Sequence, residues 1–90
     1  MTSAEFILLR YLSEKDVKEI EGEILPSGEG ISIAKICEDS YTDAESLCRA
    51  AVTLEEQGLL RITRVERDIA TDNIVGMRVE VTAKGIAYFD

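Results

Sequence analysis

Thr42–Ile62 reads TDAESLCRAAVTLEEQGLLRI, the pattern of a helix, a stop and a strand. Thr42 and Glu45 stand at capping-box spacing, so the Thr hydroxyl and the Glu carboxylate can satisfy the first free backbone N–H groups. Asp43 adds negative charge beside the positive end of the helix dipole. At about 100° per residue, Ala44, Leu47, Cys48, Ala51 and Leu54 fall on one side and form a core stripe. Thr42, Ser46, Arg49 and Thr53 cluster opposite, flanked by Glu45 and Glu56. Gly58 follows the last turn, where a left-handed residue commonly ends a helix. Leu59, Leu60 and Ile62 then open a strand.

Upstream, Thr2 and Glu5 offer a second capping box. Phe6, Leu9 and Leu12 recur at helical spacing, with Ile7 and Leu8 widening the apolar face, so a first helix is predicted from about Ala4 to Ser13. Beyond it two readings stay open. Val17, Ile20 and Ile24 can continue the stripe, or Ser13 and Asp16 can cap a new turn. Glu14, Asp16, Glu19, Glu21 and Glu23 read as a solvated acidic face. Gly22–Gly30 (GEILPSGEG) is predicted to be a loop, because Pro26, Gly28 and Gly30 disfavour regular structure. ISIAKICED predicts a short second helix with Ile33, Ile36 and Cys37 facing the core. Only a few residues separate it from the next helix, as a helix-turn-helix requires.

Downstream, LLRITRVERD pairs with IVGMRVEVT in a hairpin. Val75, Met77, Val79 and Val81 alternate with Gly76, Arg78, Glu80 and Thr82, which buries one face. Leu60 and Ile62 alternate too, but Val65 is out of phase, which predicts a bulge or twist. Thr71, Asp72 and Asn73 make the tip. In TAKGIAYF, Ile86, Tyr88 and Phe89 are placed to cover the core.

Ninety residues at 46% hydrophobic and 31% charged describe one domain, residues 1–90, with a modest core. No apolar run approaches the ~20 residues of a membrane span, so no membrane partner is expected. The start MTSAEFILLRYL lacks a basic n-region, so no signal peptide is expected. Cys37 and Cys48 sit in apolar helical stretches and read as buried free thiols, with a disulfide as the alternative; a reduced cytoplasm fits. The net charge is −8 and is unevenly spread. Residues 1–58 hold 13 acids and 5 bases, whereas residues 59–90 hold 5 of each.

The chemistry available is narrow. The chain has no His, which removes Ser-His and Cys-His nucleophilic mechanisms. Two cysteines without a C-x-x-C do not make a zinc site. Carboxylate pairs are abundant, but none sits by a plausible pocket. Gly28 and Gly30 give only G-x-G, without the third glycine or the preceding strand of a dinucleotide fingerprint. No enzyme activity, cofactor or metal is expected.

Taken together, the pieces resemble winged-helix regulators of the broad MarR/PadR type. LEEQGLLRI (Leu54–Ile62) resembles the junction of recognition helix and wing. VTAKGIAYF (Val81–Phe89) resembles the segment leaving the wing, and ISIAKICEDSYTDAESLCRAAVTLEEQG the paired second and third helices. The resemblance implies an α+β winged helix-turn-helix, three helices followed by a two-stranded β-wing. It also implies a cytoplasmic, homodimeric, non-catalytic transcriptional regulator that binds double-stranded DNA. Carried over by position, Thr42, Ser46, Arg49 and Thr53 on the recognition helix would face the major groove, and Arg64 and Arg67 on the wing would approach phosphates. Family members usually add a dimerisation helix beyond the wing. Here dimerisation is expected through the first helix, the acidic insert or a strand edge. The acidic charge also supports a different reading, an interaction module that meets a basic protein partner without binding DNA, since this fold does not dictate nucleic-acid binding.

Overall fold

Capping chemistry sets the helix starts. Thr2 caps α1 (Ser3–Lys15) by accepting the Glu5 N–H at 3.2 Å, and its hydroxyl donates to Glu5 Oε2 at 2.8 Å, so the Glu5 carboxylate meets the hydroxyl and not the Thr2 N–H of a full capping box. The computed structural model describes all 90 residues, Met1–Asp90. Leu8, Leu9 and Leu12 of α1 are wholly buried, while Phe6 stays partly exposed.

The chain then forms a hairpin, β1 (Val17–Ile20) with β2 (Glu23–Pro26). The expected loop at Gly22–Gly30 is thus corrected, since four of those residues are a strand. Glu21 and Gly22 take φ of 52° and 81°, the two left-handed residues that a tight I′ hairpin turn needs. Glu14, Glu19, Glu21 and Glu23 are exposed, as a solvated acidic face should be, but Asp16 of the same run is buried, which corrects the expectation for that residue.

Asp16 joins these parts. It is 1% exposed, and no cation pairs with it. Its Oδ1 accepts the Ser27 hydroxyl at 2.5 Å and the Gly30 N–H at 3.1 Å, and its Oδ2 accepts the Val81 N–H at 2.8 Å. A buried carboxylate is tolerable when donors surround it in this way. Gly30, at φ +73°, lies so close to Val79 O that an added Cβ would meet it at 2.8 Å.

Ile31–Ser32 (β3) pairs with the wing before α2 (Ile33–Ser40) begins, and Ser32 caps that helix by accepting the Lys35 N–H. Tyr11 of α1 donates to Asp39 of α2 at 2.5 Å, and Lys35 pairs with the same carboxylate at 3.1 Å. α3 spans Ala44–Glu56. Its cap is Asp43, which accepts the Ser46 N–H, and not Thr42, whose hydroxyl donates to Ser40 O instead. Leu47, Ala51 and Leu54 are buried as the stripe predicted, with Ala50 beside them. Ala44, at the stripe's edge, is exposed. At the far end the Leu59 N–H reaches Leu54 O and the Gly58 N–H reaches Glu55 O, with Gly58 at φ +75°, a Schellman stop.

β4 (Leu60–Arg67) and β5 (Ile74–Val81) form the wing. The register slips between Ile62 and Arg64, a bulge at Thr63 that returns Val65 to the Met77 position. Met77, Val79 and Val81 are buried, whereas Val75 is 61% exposed because it lies beyond the core toward the tip. The two-stranded wing is present as expected, and β3 extends its base to a three-stranded sheet in the order β3-β5-β4; a fourth short helix, α4 (Ala83–Ala87), follows it beyond the three helices expected. Gly85 docks α4 so closely on Leu59 that a Cβ would stand 2.1 Å from its carbonyl oxygen. The whole is an α+β fold of 48 × 24 × 24 Å, with one core between the helices and the base of the wing.

Candidate nucleic-acid interface

α2, the Tyr41–Asp43 turn and α3 form the helix-turn-helix, with Tyr41 left-handed at φ 56° and almost fully exposed. The wing rises beside α3, and an open groove of about 850 Å³ runs between them. Ala44, Cys48 and Val52, four residues apart, and Glu45 and Arg49 line its helix side. Arg64, Glu66, Arg67, Asp72 and Arg78 bring charge from the wing. Four of the chain's ten bases therefore meet three acids here, while the whole chain carries −8.

Each arginine is held differently. Arg49 pairs with Glu45 one turn back at 2.6 Å, both side chains about three-quarters exposed. An exposed pair of this kind is weak and can open to a ligand. Arg64 Nε stands 3.5 Å from Glu66. Arg67 donates to Asp72 O at 2.9 Å, and Arg78 to the carbonyls of Glu29 and Gly30 at 3.1 and 3.0 Å. Arg61 takes no part, because it pairs with Glu80 away from the groove.

Of the residues singled out from sequence, the structure brings Arg49, Arg64 and Arg67 into this groove. It does not bring Thr42, Ser46 or Thr53 there. Those three are half-buried with locally engaged hydroxyls: Thr42 on Ser40 O, Ser46 on Asp43 Oδ1 and Thr53 on Arg49 O. Glu45 and Arg78 were not singled out for function. The i, i+4 spacing of Glu45 and Arg49 was the available signal for the first. Arg78 reads from sequence as one of four hairpin arginines of the kind that solubilise strands, and what sets it apart, its hold on the loop before β3, depends on β3 pairing with β5.

The start of α3 is acidic. Hydrogen bonds from the Ser46 N–H, then from its hydroxyl, hold the Asp43 carboxyl below its usual range, and Glu45 follows in the first turn. Burial pushes the Cys48 thiol up, with Cys37 adding to the effect. Burial also raises Cys37, with Asp43 adding to it. Both thiols are free and half-buried, and thiols held protonated are poor nucleophiles. No group of three or more His, Cys, Asp or Glu converges as a metal would need. No helix is long and apolar enough to cross a membrane.

No protein-family model matches the chain, and no curated protein matches it. Solved structures do. A putative DNA-binding protein from Ralstonia eutropha JMP134 superposes with a TM-score of 0.66 at 18% identity, over 97% of this chain and 90% of that one. Bordetella bronchiseptica BpsR, described for the regulation of its DNA binding by 6-hydroxynicotinic acid, gives 0.61 at 18% identity over 97% of this chain. The transcriptional regulator SlyA gives 0.54 at 26% identity over 94% of it. This chain spans about half the length of the latter two, 52% and 46%. The chain is thus an α+β winged-helix domain whose fold resembles that of MarR-type regulators.

Proposed function

We propose that this protein is a non-catalytic transcriptional regulator that binds double-stranded DNA in the groove between α3 and the wing. One observation carries the reading: an acidic chain gathers four arginines from three elements, α3, β4 and β5, into a single groove. Phosphate attraction dominates DNA affinity, so a local excess of bases matters more than bulk charge. The DNA-binding and regulatory proteins that share the fold support it. Arg49 would make the bidentate guanine contact, after leaving Glu45. Arg64 and Arg67 would meet phosphates and contribute affinity without sequence choice. Thr42, Ser46 and Thr53, which lie outside the α3–wing groove, would meet the DNA major groove only after their hydroxyls leave their local partners. Residence in the cytoplasm goes with this role.

We also propose a homodimer. Leu8, Leu9 and Leu12 are used in the protein's own core, but Phe6 stays 43% exposed. Its ring stands edge-on to Phe89 at 5.6 Å, and Phe89 to Tyr88 at 5.3 Å. This aromatic patch joins the start of α1 to the chain's last residues and suits a second copy.

The test is a salt-titrated binding assay with genomic fragments from the protein's own locus. Binding that falls linearly in log salt supports the reading, and no retention at about 50 mM salt refutes it. A second reading, a protein-interaction module, is favoured by the exposed Ile20 and Ile24 set among glutamates on the hairpin. It predicts capture of a basic protein partner with no DNA retained.

A further inference from the structure

Arg78 differs from the other bases of the groove. It forms no ion pair, yet its guanidinium is fixed by two main-chain carbonyls, those of Glu29 and Gly30. The first of these is held in turn, because the N–H of the same peptide unit, that of Gly30, donates to the buried Asp16. The guanidinium is therefore oriented by dipoles while its charge stays uncancelled. Two of its five N–H groups are used, and three remain.

Its neighbour is unexpected. Arg64 stands directly opposite Arg78 in the β4–β5 ladder, and both line the groove. Like charges directly opposed destabilise a sheet. An anion between them would turn the repulsion into attraction. Guanidinium geometry suits a phosphate oxygen pair. Arg64's 3.5 Å approach to Glu66 is exposed and easily given up.

We propose that Arg64 and Arg78 together form a phosphate-binding site on the wing, taking one backbone phosphodiester of duplex DNA. The site rests on the DNA-binding reading and adds to it a second arginine and a shared phosphate. Arg78 is the preorganised half, and Arg64 is the half that closes on the ligand.

The experiment measures the slope of log affinity against log salt for mixed-sequence duplex DNA, with each variant shown folded by its melting curve. Arg78→Gln flattens the slope by up to one contact, about 0.9, and weakens all sequences alike. Arg78→Lys keeps the charge and keeps the slope. Arg64→Gln flattens it as well, and the double variant loses less than the two single losses added, because one phosphate is shared. If the parent binds and either Gln variant keeps the parent slope, the site is wrong while the DNA-binding reading stands. The site is also wrong if Arg78→Lys loses as much slope as Arg78→Gln, or if the two losses add. If the parent retains no DNA at about 50 mM salt, the reading fails and the site fails with it.

Discussion

Asp16 shows what one residue can decide. From sequence it was one acid in an acidic run and, with Ser13, a candidate cap for a new turn; nothing there marks it as buried. Folded, it is the buried acceptor that ties the end of α1 to Ser27, Gly30 and Val81. Its role depends on partners 11 to 65 residues away, which no local pattern carries. Asp16→Ala should orphan two buried N–H groups at ~1–3 kcal/mol each. Asp16→Asn should cost less, since the amide keeps one acceptor oxygen. Urea denaturation checks both, and an Ala variant as stable as the parent would contradict the network. Leu54 was legible at once, because its burial follows from helical spacing alone. Leu54→Ala should lose ~2–5 kcal/mol as a core truncation, and a loss below about 0.5 would refute the packing.

Among the elements, legibility followed local chemistry. The Thr2 cap, the Gly58 stop and an irregularity before Val65 were all readable, because each depends on residues within one turn or one strand. The β1–β2 hairpin was not. Glu-Gly is not among the favoured I′ pairs, and Val17, Ile20 and Ile24 mimic helical spacing. β3 is two residues long and is defined only by its pairing with β5. The same limit applies to the groove: the exposed face of α3 was legible, but which half of it meets the wing was not. The α1–α2 tether gives a pH prediction. The hydrogen bond to Asp39 first, then burial, pushes the Tyr11 phenol up to about 12. A raised acid holds its proton longer when folded. The tether's stabilisation is therefore complete below about pH 10 and lost as pH rises toward 12. Ultraviolet titration in a Tyr41→Phe, Tyr88→Phe background should show late ionisation of Tyr11. Asp39→Asn should bring it earlier, and an unchanged titration would remove the tether from the account.

At the scale of the whole molecule, charge and apolar surface are segregated. The acids concentrate on the helical half and hairpin, four arginines concentrate in one groove, and three aromatic rings gather at the termini. The aromatic cluster predicts self-association. Sedimentation equilibrium should find a dimer at micromolar concentration, with Phe6→Ser and Phe89→Ser shifting it to monomer. A parent that stays monomeric at high micromolar concentration refutes the dimer. The acidic half should repel duplex DNA, so the intact protein should bind random sequence weakly at physiological salt.

The most direct test of the groove as a DNA-reading surface compares the parent with Arg49→Ala on the tightest-binding fragment of its own locus. Arg49 is the base that α3 presents to the groove, and its pairing with Glu45 is exposed, so removing it should leave the fold intact. Specific binding should weaken by ~1–3 kcal/mol, and preference should relax at one base position. An Arg49→Ala protein that binds the fragment as tightly and as selectively as the parent would contradict the account.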